Sequence, residues 1–497
     1  MTFWSRRNFR VVTGGSWIRK PLSDDPDDPS LRIDGVSTDT RSLRPGQAFI
    51  ALKGPRFNGH DYLRAAAVAG SPLLIVDEPS RVPTDLACSP NAPAILRVPD
   101  ALGALGRLGA AYRKTLANTR VIAVCGSNGK TTTTRLIHSV LSTRLRGTAS
   151  AKSFNNEIGV PLTVLGASPA DQYLVCEVGT NAPGEVAKLG RIAQPDIAVI
   201  TSIGRAHIEF FDSVAAVARE DASIFADLAP GGVAIVPAAE PHLADFLKPV
   251  PNVLTFGEDA SADLRCSSVE HTRLPDGRTG LRFVVNDRQA FVVPLLGAHN
   301  ALNAMAAVAV ARRLGLDDAS IARGLEIASP ADMRLNRRSL GGLDLFIDCY
   351  NANPESARAA VRTFAALTPS AKRRVLVLGD MLELGSHAPA CHRELGEIIR
   401  DHCPADLVIT VGPLALHTAE ALSDSWPASR FVMLSSLDEA QSERVVARLR
   451  PGDAVLLKGS RAVKLEQVVA ALEKHAAPPA GPNPAASPLR GAASPAA

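Results

Sequence analysis

A short glycine-containing segment followed by Lys-Thr is the feature of this sequence that most directly predicts chemistry. Gly126-Ser127-Asn128-Gly129-Lys130-Thr131-Thr132 follows the apolar run 121–125 and precedes a pattern typical of a helix. In such strand–loop–helix segments, backbone N–H groups and the helix N-terminus bind phosphate, the lysine adds positive charge, and the threonine hydroxyl can bind Mg²⁺. The segment predicts nucleotide binding. We favour ATP over GTP because no guanine-binding N-K-x-D segment is present.

Two more side chains with suitable chemistry stand at the ends of predicted strands. Glu177 lies in the apolar run 173–178, and His207 follows the run 197–202. The carboxyl ends of parallel strands form the ligand-binding edge of an open α/β sheet. A carboxylate and an imidazole at that edge could bind Mg²⁺ beside the phosphates. Taken alone, each residue is also consistent with an ordinary polar strand end.

The elements that would position these residues fall into three blocks. The predicted strands are short apolar runs with helical spacing between them: 47–52, 73–76, 94–98, 119–124, 173–178, 197–202, 233–236, 374–379, 406–412, 431–434 and 453–459. A helix is predicted at 100–117 and a β-rich stretch at 253–296. Alternating strands and helices are typical of α/β domains with parallel sheets. We predict a small mixed α/β N-terminal domain (1–117), a central P-loop-type domain with a mostly parallel sheet (118–328) and a C-terminal α/β domain (329–475).

Composition excludes several classes of protein. Lys and Arg total 54 against 50 Asp and Glu, and only 4% of residues are aromatic, so neither a nucleic-acid partner nor a base-stacking surface is expected. The sequence contains no run of 18 consecutive apolar residues, so no membrane-spanning helix is expected. Arg6-Arg7 is similar to a twin-arginine export signal, but such a signal needs an apolar run next. The following segment contains Gly14, Gly15 and Arg19 instead, so export is not expected.

The remaining compositional features concern the cellular compartment of the protein and its disordered segments. Seven cysteines without a C-x-x-C pair favour reduced thiols in a cytoplasmic protein. The Ala/Pro-rich segment 476–497 is predicted to be a disordered tail, and Asp-Asp-Pro-Asp-Asp-Pro at 24–29 a surface loop.

The form G-S-N-G-K-T-T resembles the Mur ligase family, ATP-dependent enzymes that join amino acids or peptides to a carboxylate. Further matching segments run in register from about residue 30 to residue 470: S-T-D-T-R at 37–41, N-N-E-I-G-V-P at 155–161, H-N-A-L-N at 299–303, D-C-Y-N-A-N-P at 348–354, G-D-M-L-E-L-G at 379–385 and K-G-S-R at 458–461. The resemblance implies that the first domain binds a UDP-linked substrate, the central domain binds ATP, and the third is a Rossmann-like ligase domain.

The resemblance also implies a role for individual residues. The expected ATP-binding residues are Gly126, Ser127, Asn128, Gly129, Lys130, Thr131, Thr132, His299, Asn300, Asn303, Arg334, Asp348 and Asn351. The expected substrate-binding residues are Ser37, Asp39, Thr40, Arg41, Asn155, Asn156, Lys458 and Arg461. The expected Mg²⁺ ligands are Thr131, Glu177, His207 and Asp221, and the expected catalytic residues are Lys130, Glu177, His207 and Arg334.

Within the family, the combination of these segments is most similar to the members that join D-alanyl-D-alanine to UDP-N-acetylmuramoyl-tripeptide. The expected reaction proceeds through an acyl phosphate in a monomeric enzyme. Two alternatives stay open: another amide ligase on the same scaffold, similar to folylpolyglutamate synthase, or an inert nucleotide-binding scaffold protein.

Two positions depart from the family pattern. Ala182 stands where the family usually has histidine, and we expect Asn181 to keep the structural role of that segment. In Ala218-Arg219-Glu220-Asp221-Ala222, Asp221 replaces a lysine that many members carbamylate to bind the second Mg²⁺. An aspartate could supply the anionic oxygen directly. The alternative is that Asp221 is a solvated helix residue and the third ligand is missing.

Overall fold

The computed structural model describes residues 3–21, 32–89, 92–151 and 153–476. The predicted loop at 24–29 and the predicted tail beyond Ala476 lie outside these ranges. Two compact units are present: Met1–Ala331 with the short segments Asn353–Ala359 and Leu382–Ala388, and the remainder from Asp332 onward. In the described ranges no helix is both long and apolar enough to cross a membrane.

The first block forms a five-stranded sheet in the order β1-β7-β6-β3-β2, parallel except for β1. Its elements are α1 (Arg6–Thr13), β1 (Ser16–Arg19), β2 (Val36–Ser37), β3 (Ala48–Ile50), β4 (Lys53–Gly54), β5 (Phe57–Asn58), α2 (Leu63–Val68), β6 (Leu73–Val76), α3 (Thr84–Cys88), β7 (Ala94–Arg97) and α4 (Ala101–Arg113). The predicted strands and the helix near 100–117 are confirmed.

Helix α1 and strand β1 are an addition that the sequence patterns did not predict. Ser5 caps α1 by accepting a hydrogen bond from the Asn8 N–H, and Gly14, with φ of +65°, ends it. Phe9 is fully buried, and its ring lies 5.9 Å from that of Trp4. The segment that is similar to an export signal is thus folded into the first domain's core.

The central block forms a nine-stranded sheet in the order β16-β15-β14-β13-β12-β11-β8-β10-β9. Pairing is parallel from β9 through β14 and antiparallel from β14 to β16. Its elements are β8 (Arg120–Cys125), α5 (Lys130–Leu141), β9 (Gly147–Ala149), α6 (Gly159–Leu165), β10 (Tyr173–Glu177), α7 (Glu185–Ala193), β11 (Ile197–Ile200), α8 (Val214–Ala222), β12 (Val233–Pro237), α9 (Ala244–Leu247), β13 (Val253–Gly257), β14 (Leu264–Arg273), β15 (Thr279–Val285), β16 (Gln289–Val293), α10 (His299–Arg313) and α11 (Asp318–Glu326).

Strand β8 shows why the central strands are apolar runs rather than alternating patterns. Val121 and Ala123 belong to one buried cluster with residues of α4, α6 and α7, while Ile122 and Val124 belong to another with residues of α5 and α10. Both faces of the strand are therefore covered by helices, as parallel sheets require. This leaves the strand ends as the place where polar side chains reach solvent.

The third block forms a six-stranded sheet in the order β17-β18-β22-β19-β20-β21, parallel except for the pair β17 and β18. Its elements are β17 (Asn336–Leu340), β18 (Leu343–Asp348), α12 (Pro354–Leu367), β19 (Arg373–Gly379), α13 (Ala388–His402), β20 (Leu407–Val411), α14 (Leu416–Ser423), β21 (Phe431–Leu434), α15 (Glu439–Val446), β22 (Asp453–Lys458) and α16 (Glu466–Ala476). The predicted α/β fold class is confirmed, whereas the domain boundaries at 117, 328 and 475 stay predictions.

Candidate active site

The phosphate loop connects the end of β8 to the start of α5. Its two glycines, Gly126 and Gly129, have φ angles of +120° and +86°, which favour glycine. A side chain at Gly126 would collide with Thr201, and one at Gly129 would collide with Asn303. Both positions therefore require glycine for conformation and for space.

Residues after β11 hold this loop in place. Asn128 donates its N–H to Ser202 Oγ at 3.0 Å, and its carbonyl accepts from Thr201 Oγ1 at 2.5 Å. Lys130 Nζ donates to Gly126 O at 2.5 Å. The lysine ammonium group is therefore already positioned at the loop that would bind phosphate.

The hydroxyl groups of the loop have polar neighbours. Ser127 Oγ donates to Gly204 O at 3.2 Å. Thr131 is buried in the first turn of α5, and its Oγ1 lies 3.4 Å from Ser153 Oγ. Thr132 follows in the same turn and is half-buried. A hydroxyl oxygen such as that of Thr131 is a ligand type that a hard cation accepts.

Glu177 ends β10, the strand that pairs with β8, and its side chain is almost fully buried. Oε1 accepts a hydrogen bond from Asn155 Nδ2 at 2.8 Å, whereas Oε2 is buried and has no hydrogen-bond partner among the described residues. A buried carboxylate oxygen without a partner costs free energy unless a cation or a donor binds it. This oxygen, at the strand edge that carries the phosphate loop, fits a divalent cation.

His207 follows β11, the other strand that pairs with β8. Its backbone has φ of +57°, and its Nδ1 lies 2.6 Å from Glu383 Oε2. Glu383 belongs to the short segment 382–388 of the first unit. The contact with His207 lowers the pKa of the Glu383 carboxyl. One of the two imidazole nitrogens is therefore in close contact with a carboxylate, although the angle at Nδ1 is outside that of a hydrogen bond.

Asp221 lies in the last turn of α8 and is only 3% exposed. Its Oδ1 accepts the Gly126 N–H at 3.1 Å. Burial raises the pKa of Asp221 to about 6, and the charge of Lys130 opposes that shift. The alternative that Asp221 is a solvated helix residue is wrong, because the side chain is enclosed beneath the phosphate loop.

The expected cation site has fewer protein ligands than a metal site in which side chains supply every ligand. Within the described ranges, no three His, Cys, Asp or Glu side chains converge closely enough to hold a metal by themselves. Mg²⁺ usually keeps several waters and binds one or two carboxylates together with substrate phosphates. The set Thr131, Glu177, His207 and Asp221 is consistent with such a shared site and stays a prediction.

The segment expected near adenine packs against the phosphate loop. Asn303 Nδ2 donates to Asn300 Oδ1 at 2.8 Å, and Thr133 Oγ1 donates to Asn303 Oδ1 at 3.3 Å. Both asparagines are buried, while His299, the first residue of α10, is exposed. The structure thus brings this segment to the start of α5.

The residues expected to bind the UDP-linked substrate form two groups. At the turn after β2, Asp39 Oδ2 accepts from Arg41 at 2.6 Å, and Ser37 Oγ donates to Asp39 O at 3.0 Å. The hydrogen bond from Arg41 lowers the pKa of Asp39. Thr40 is half-buried in the same turn. Because this ion pair is exposed, its replacement by a pyrophosphate contact would cost little.

The second group precedes α6. Asn155 is hydrogen-bonded to Glu177, as described above, and Asn156 Oδ1 accepts the N–H groups of Ile158 and Gly159 at 3.1 and 3.0 Å. Asn156 therefore holds the first turn of α6. Asn155 links the expected substrate segment to the expected cation ligand.

The five remaining predicted residues belong to the second unit. Lys458, which is 3% exposed, lies 2.9 Å from Asp348 Oδ2 and donates to Asn351 O at 2.7 Å. The Arg334 guanidinium lies 4.4 Å from the centre of the Tyr350 ring. Arg461 pairs with Glu466 at 3.1 Å. These residues cluster at the carboxyl ends of β18 and β22, and their grouping with the phosphate loop stays a prediction.

Four side chains that the sequence analysis did not select also contact the site in the first unit. Asn353 Nδ2 donates to Asn128 Oδ1 at 2.8 Å, and Arg205 Nε donates to Glu355 Oε1 at 2.8 Å. Glu383, on His207, is the fourth. Asn353 and Glu383 lie inside the two segments that matched the family, so the motifs themselves were the available signal.

Comparisons with known proteins agree with this geometry. Three family models match: the Mur ligase family catalytic domain at residues 32–113, the Mur ligase middle domain at 124–311 and the Mur ligase glutamate ligase domain at 333–461. The UDP-N-acetylmuramoyl-tripeptide--D-alanyl-D-alanine ligase of Bacillus subtilis is 37% identical over 88% of this chain and 92% of its own length.

Solved structures show the same likeness. MurF from Acinetobacter baumannii superposes with a TM-score of 0.79 at 31% identity, covering 95% of this chain and 99% of that one. MurF ligase from Thermotoga maritima in complex with ADP superposes with a TM-score of 0.71 at 28% identity, covering 88% of this chain and 97% of that one.

Proposed function

Because this chain belongs to the Mur ligase family, we propose that it joins D-alanyl-D-alanine to UDP-N-acetylmuramoyl-tripeptide, with cleavage of ATP to ADP and phosphate. It is an ATP-dependent ligase that forms an amide bond in peptidoglycan precursor synthesis. The observation that carries the proposal is the phosphate loop together with a buried Glu177 oxygen, at the end of the adjacent strand, that has no hydrogen-bond partner among the residues the structure describes. The alternative resembling folylpolyglutamate synthase is not favoured, because the similarity to the tripeptide ligase spans nearly the whole chain.

The reaction transfers the γ-phosphoryl group of ATP to the terminal carboxylate of the peptide, and ADP leaves. The amine of D-alanyl-D-alanine then attacks the acyl phosphate, a tetrahedral intermediate forms, and phosphate leaves as the amide is made. Lys130, already at the phosphate loop, would stabilise charge on the transferred group, with Arg334 as the second cation. Catalysis in this scheme depends on positioning and electrostatics.

The chain's own residues would also hold Mg²⁺, through Thr131, Glu177, His207 and Asp221. When bound, Mg²⁺ supplies positive charge that neutralises the phosphate oxygens. Glu177 and Asp221 are buried, so they present their oxygens with little competition from water.

The other assignments complete the proposal. Nucleotide contacts come from the loop 126–132, His299, Asn300, Asn303, Asp348 and Asn351, and substrate contacts from Ser37, Asp39, Thr40, Arg41, Asn155, Asn156, Lys458 and Arg461. We propose a monomeric enzyme that acts on small molecules in the cytoplasm, where nucleotide-linked substrates and ATP occur.

One assay tests the proposed function. Purified protein, ATP, Mg²⁺ and D-alanyl-D-alanine are incubated with UDP-muramoyl peptides that differ in the third residue, and ADP release and product mass are measured. Ligation of the tripeptide substrate is expected. A protein that binds ATP but releases no ADP with any of these carboxylates would be the inert scaffold and would refute the proposal.

The same assay gives the first mutational prediction. Lys130→Ala removes the ammonium group that lies at Gly126, and no substitute cation stands in the loop segment 126–132. Turnover should fall about 10²-fold or more, because a charge that stabilises the transition state is lost. The thermal midpoint should stay close to that of the wild type. Near-wild-type ADP release by the folded variant would refute the phosphate-loop assignment.

A further inference from the structure

The segment 382–388 makes a specific contact with His207 that the proposed chemistry has not yet used. Glu383 Oε2 lies 2.6 Å from His207 Nδ1, and the His207 side chain is only 17% exposed. A second contact joins the same two segments, since the Glu209 N–H donates to the Glu383 carbonyl at 3.1 Å. The main-chain hydrogen bond thus keeps Glu383 against the loop that carries His207, and the two side chains are in ion-pair contact, although the angle at Nδ1 is outside that of a hydrogen bond.

The backbone at both residues is unusual. His207 has φ of +57° and Glu383 has φ of +62°, although neither is glycine. Such conformations are unfavourable for residues other than glycine and persist where the surrounding structure enforces them. Gly385 supports the arrangement: its φ is +52°, and a Cβ there would lie 3.3 Å from Glu209 Cγ. The close approach of the two segments is thus maintained despite its conformational cost.

The chemistry of imidazole gives this contact a consequence. A neutral histidine carries one proton, and a carboxylate that accepts the proton on Nδ1 leaves the lone pair on Nε2. Histidine ligands of metals commonly have such a carboxylate partner, which also fixes the orientation of the ring. Glu383 is the group that contacts Nδ1, so Nε2 is the nitrogen left for a ligand.

We propose that Glu383 is the positioning residue of His207: a rotation of the ring that aligns the 2.6 Å contact lets Glu383 accept the Nδ1 proton, which holds the ring in the tautomer and orientation in which Nε2 can bind a divalent cation. The inference rests on the proposed function, because it takes His207 as a cation ligand. Glu383 itself makes no contact with substrate in this scheme and acts only through His207.

Three variants separate hydrogen-bond acceptance from charge. Glu383→Leu removes the acceptor at similar length, Glu383→Gln keeps an acceptor oxygen without the charge, and Glu209→Gln removes an exposed neighbouring carboxylate as the matched control. Mn²⁺ affinity is measured by electron paramagnetic resonance in the presence of a non-hydrolysable ATP analogue and in the absence of peptide substrates. Thermal melting and metal-free analogue binding check that each variant is folded.

The Leu variant should bind Mn²⁺ about 10- to 100-fold more weakly than the wild type, as expected for the loss of a histidine-orienting partner. The Gln variant should recover most of that affinity, and Glu209→Gln should match the wild type. Unchanged affinity in Glu383→Leu, or equal losses in the Leu and Gln variants, would overturn the proposal.

A measurement on the wild type does not depend on how the variants fold. ¹⁵N spectra of histidine-labelled protein, with His207 assigned from a His207→Gln variant, report which ring nitrogen is protonated. The Nδ1–H tautomer is expected, and the Nε2–H tautomer would overturn the proposal. A wild type that binds Mn²⁺ with the analogue as expected but does not ligate the peptides would refute the proposed function alone. A wild type without a nucleotide-dependent Mn²⁺ site would overturn both.

Discussion

At the scale of single residues, Asp221 is the position whose environment most changes its interpretation. Its carboxylate is buried and accepts the Gly126 N–H, so it supports the phosphate loop whether or not it also binds a cation. Asparagine can accept the same hydrogen bond but carries no charge. Asp221→Asn and Asp221→Ala therefore separate the two roles.

We predict that Asp221→Asn keeps ATP affinity near that of the wild type but needs about 10-fold more Mg²⁺ for half-maximal activity, in line with losing a ligand group. Asp221→Ala should lose both properties. Activity of the wild type should not depend on added bicarbonate, whereas Asp221→Lys should become bicarbonate-dependent. Mg²⁺ titrations of ADP release check each variant. An unchanged Mg²⁺ requirement in Asp221→Asn would show that Asp221 only supports the loop.

At the scale of elements, a buried histidine joins β5 to the residues that follow β6. The His60 ring, which is 2% exposed, lies with Nδ1 2.7 Å from Asn58 Oδ1, and its Nε2 accepts the N–H groups of Asp77 and Glu78 at 3.2 Å each. These contacts suit a neutral ring with the proton on Nδ1. Burial lowers the pKa of His60, and the negative charge of Asp77 opposes the shift.

The sign of the pH effect follows from this lowered pKa. Below about pH 6.5, His60 becomes protonated in the unfolded chain, whereas in the folded protein its lowered pKa keeps it neutral. The free energy of unfolding therefore falls as pH decreases below about 6.5. Each unit of lowering corresponds to about 1.4 kcal/mol. We predict that His60→Gln has a lower thermal midpoint at pH 8 but a shallower decline between pH 6.5 and pH 5 than the wild type. His242→Gln, at an exposed position, serves as the control. Parallel pH profiles for wild type and His60→Gln would contradict the prediction.

At the scale of the whole molecule, residues within the described ranges account for all the chemistry proposed. Residues 477–497 lie outside the described ranges and consist almost entirely of Ala, Pro, Gly and Ser. Such a composition cannot bury enough apolar surface to form a core. We predict that a chain ending at Ala476 keeps turnover and KM values within about twofold of the full-length protein and the same thermal midpoint, because a segment of this composition is not expected to contribute apolar burial. A large loss of activity with unchanged melting would assign the tail a role in substrate binding.

Much of this architecture could be predicted from local patterns. Buried parallel strands are continuous apolar runs, so β8, β10, β11 and the strands β19 to β22 of the third sheet were predictable, whereas β17 and β18 were not predicted. The phosphate loop carries its own glycine and lysine signal. The helix α1 and the strand β1 were not predicted because both are short and partly polar. Their positions depend on the pairing of β1 with β7 and on the contact between the rings of Trp4 and Phe9.

The sequence by itself thus predicted most of the parallel strands, the candidate phosphate loop and the family that the motifs resemble. Only the tertiary structure decided which side chains meet. Asn353 contacts Asn128 across 225 positions, Glu383 contacts His207, and Asp221 is enclosed under Gly126. Local propensity depends on neighbours along the chain, whereas these contacts depend on the order of strands in the sheet and on the loops at its carboxyl edge. Residues far apart in the sequence come together there because parallel strands end on the same side.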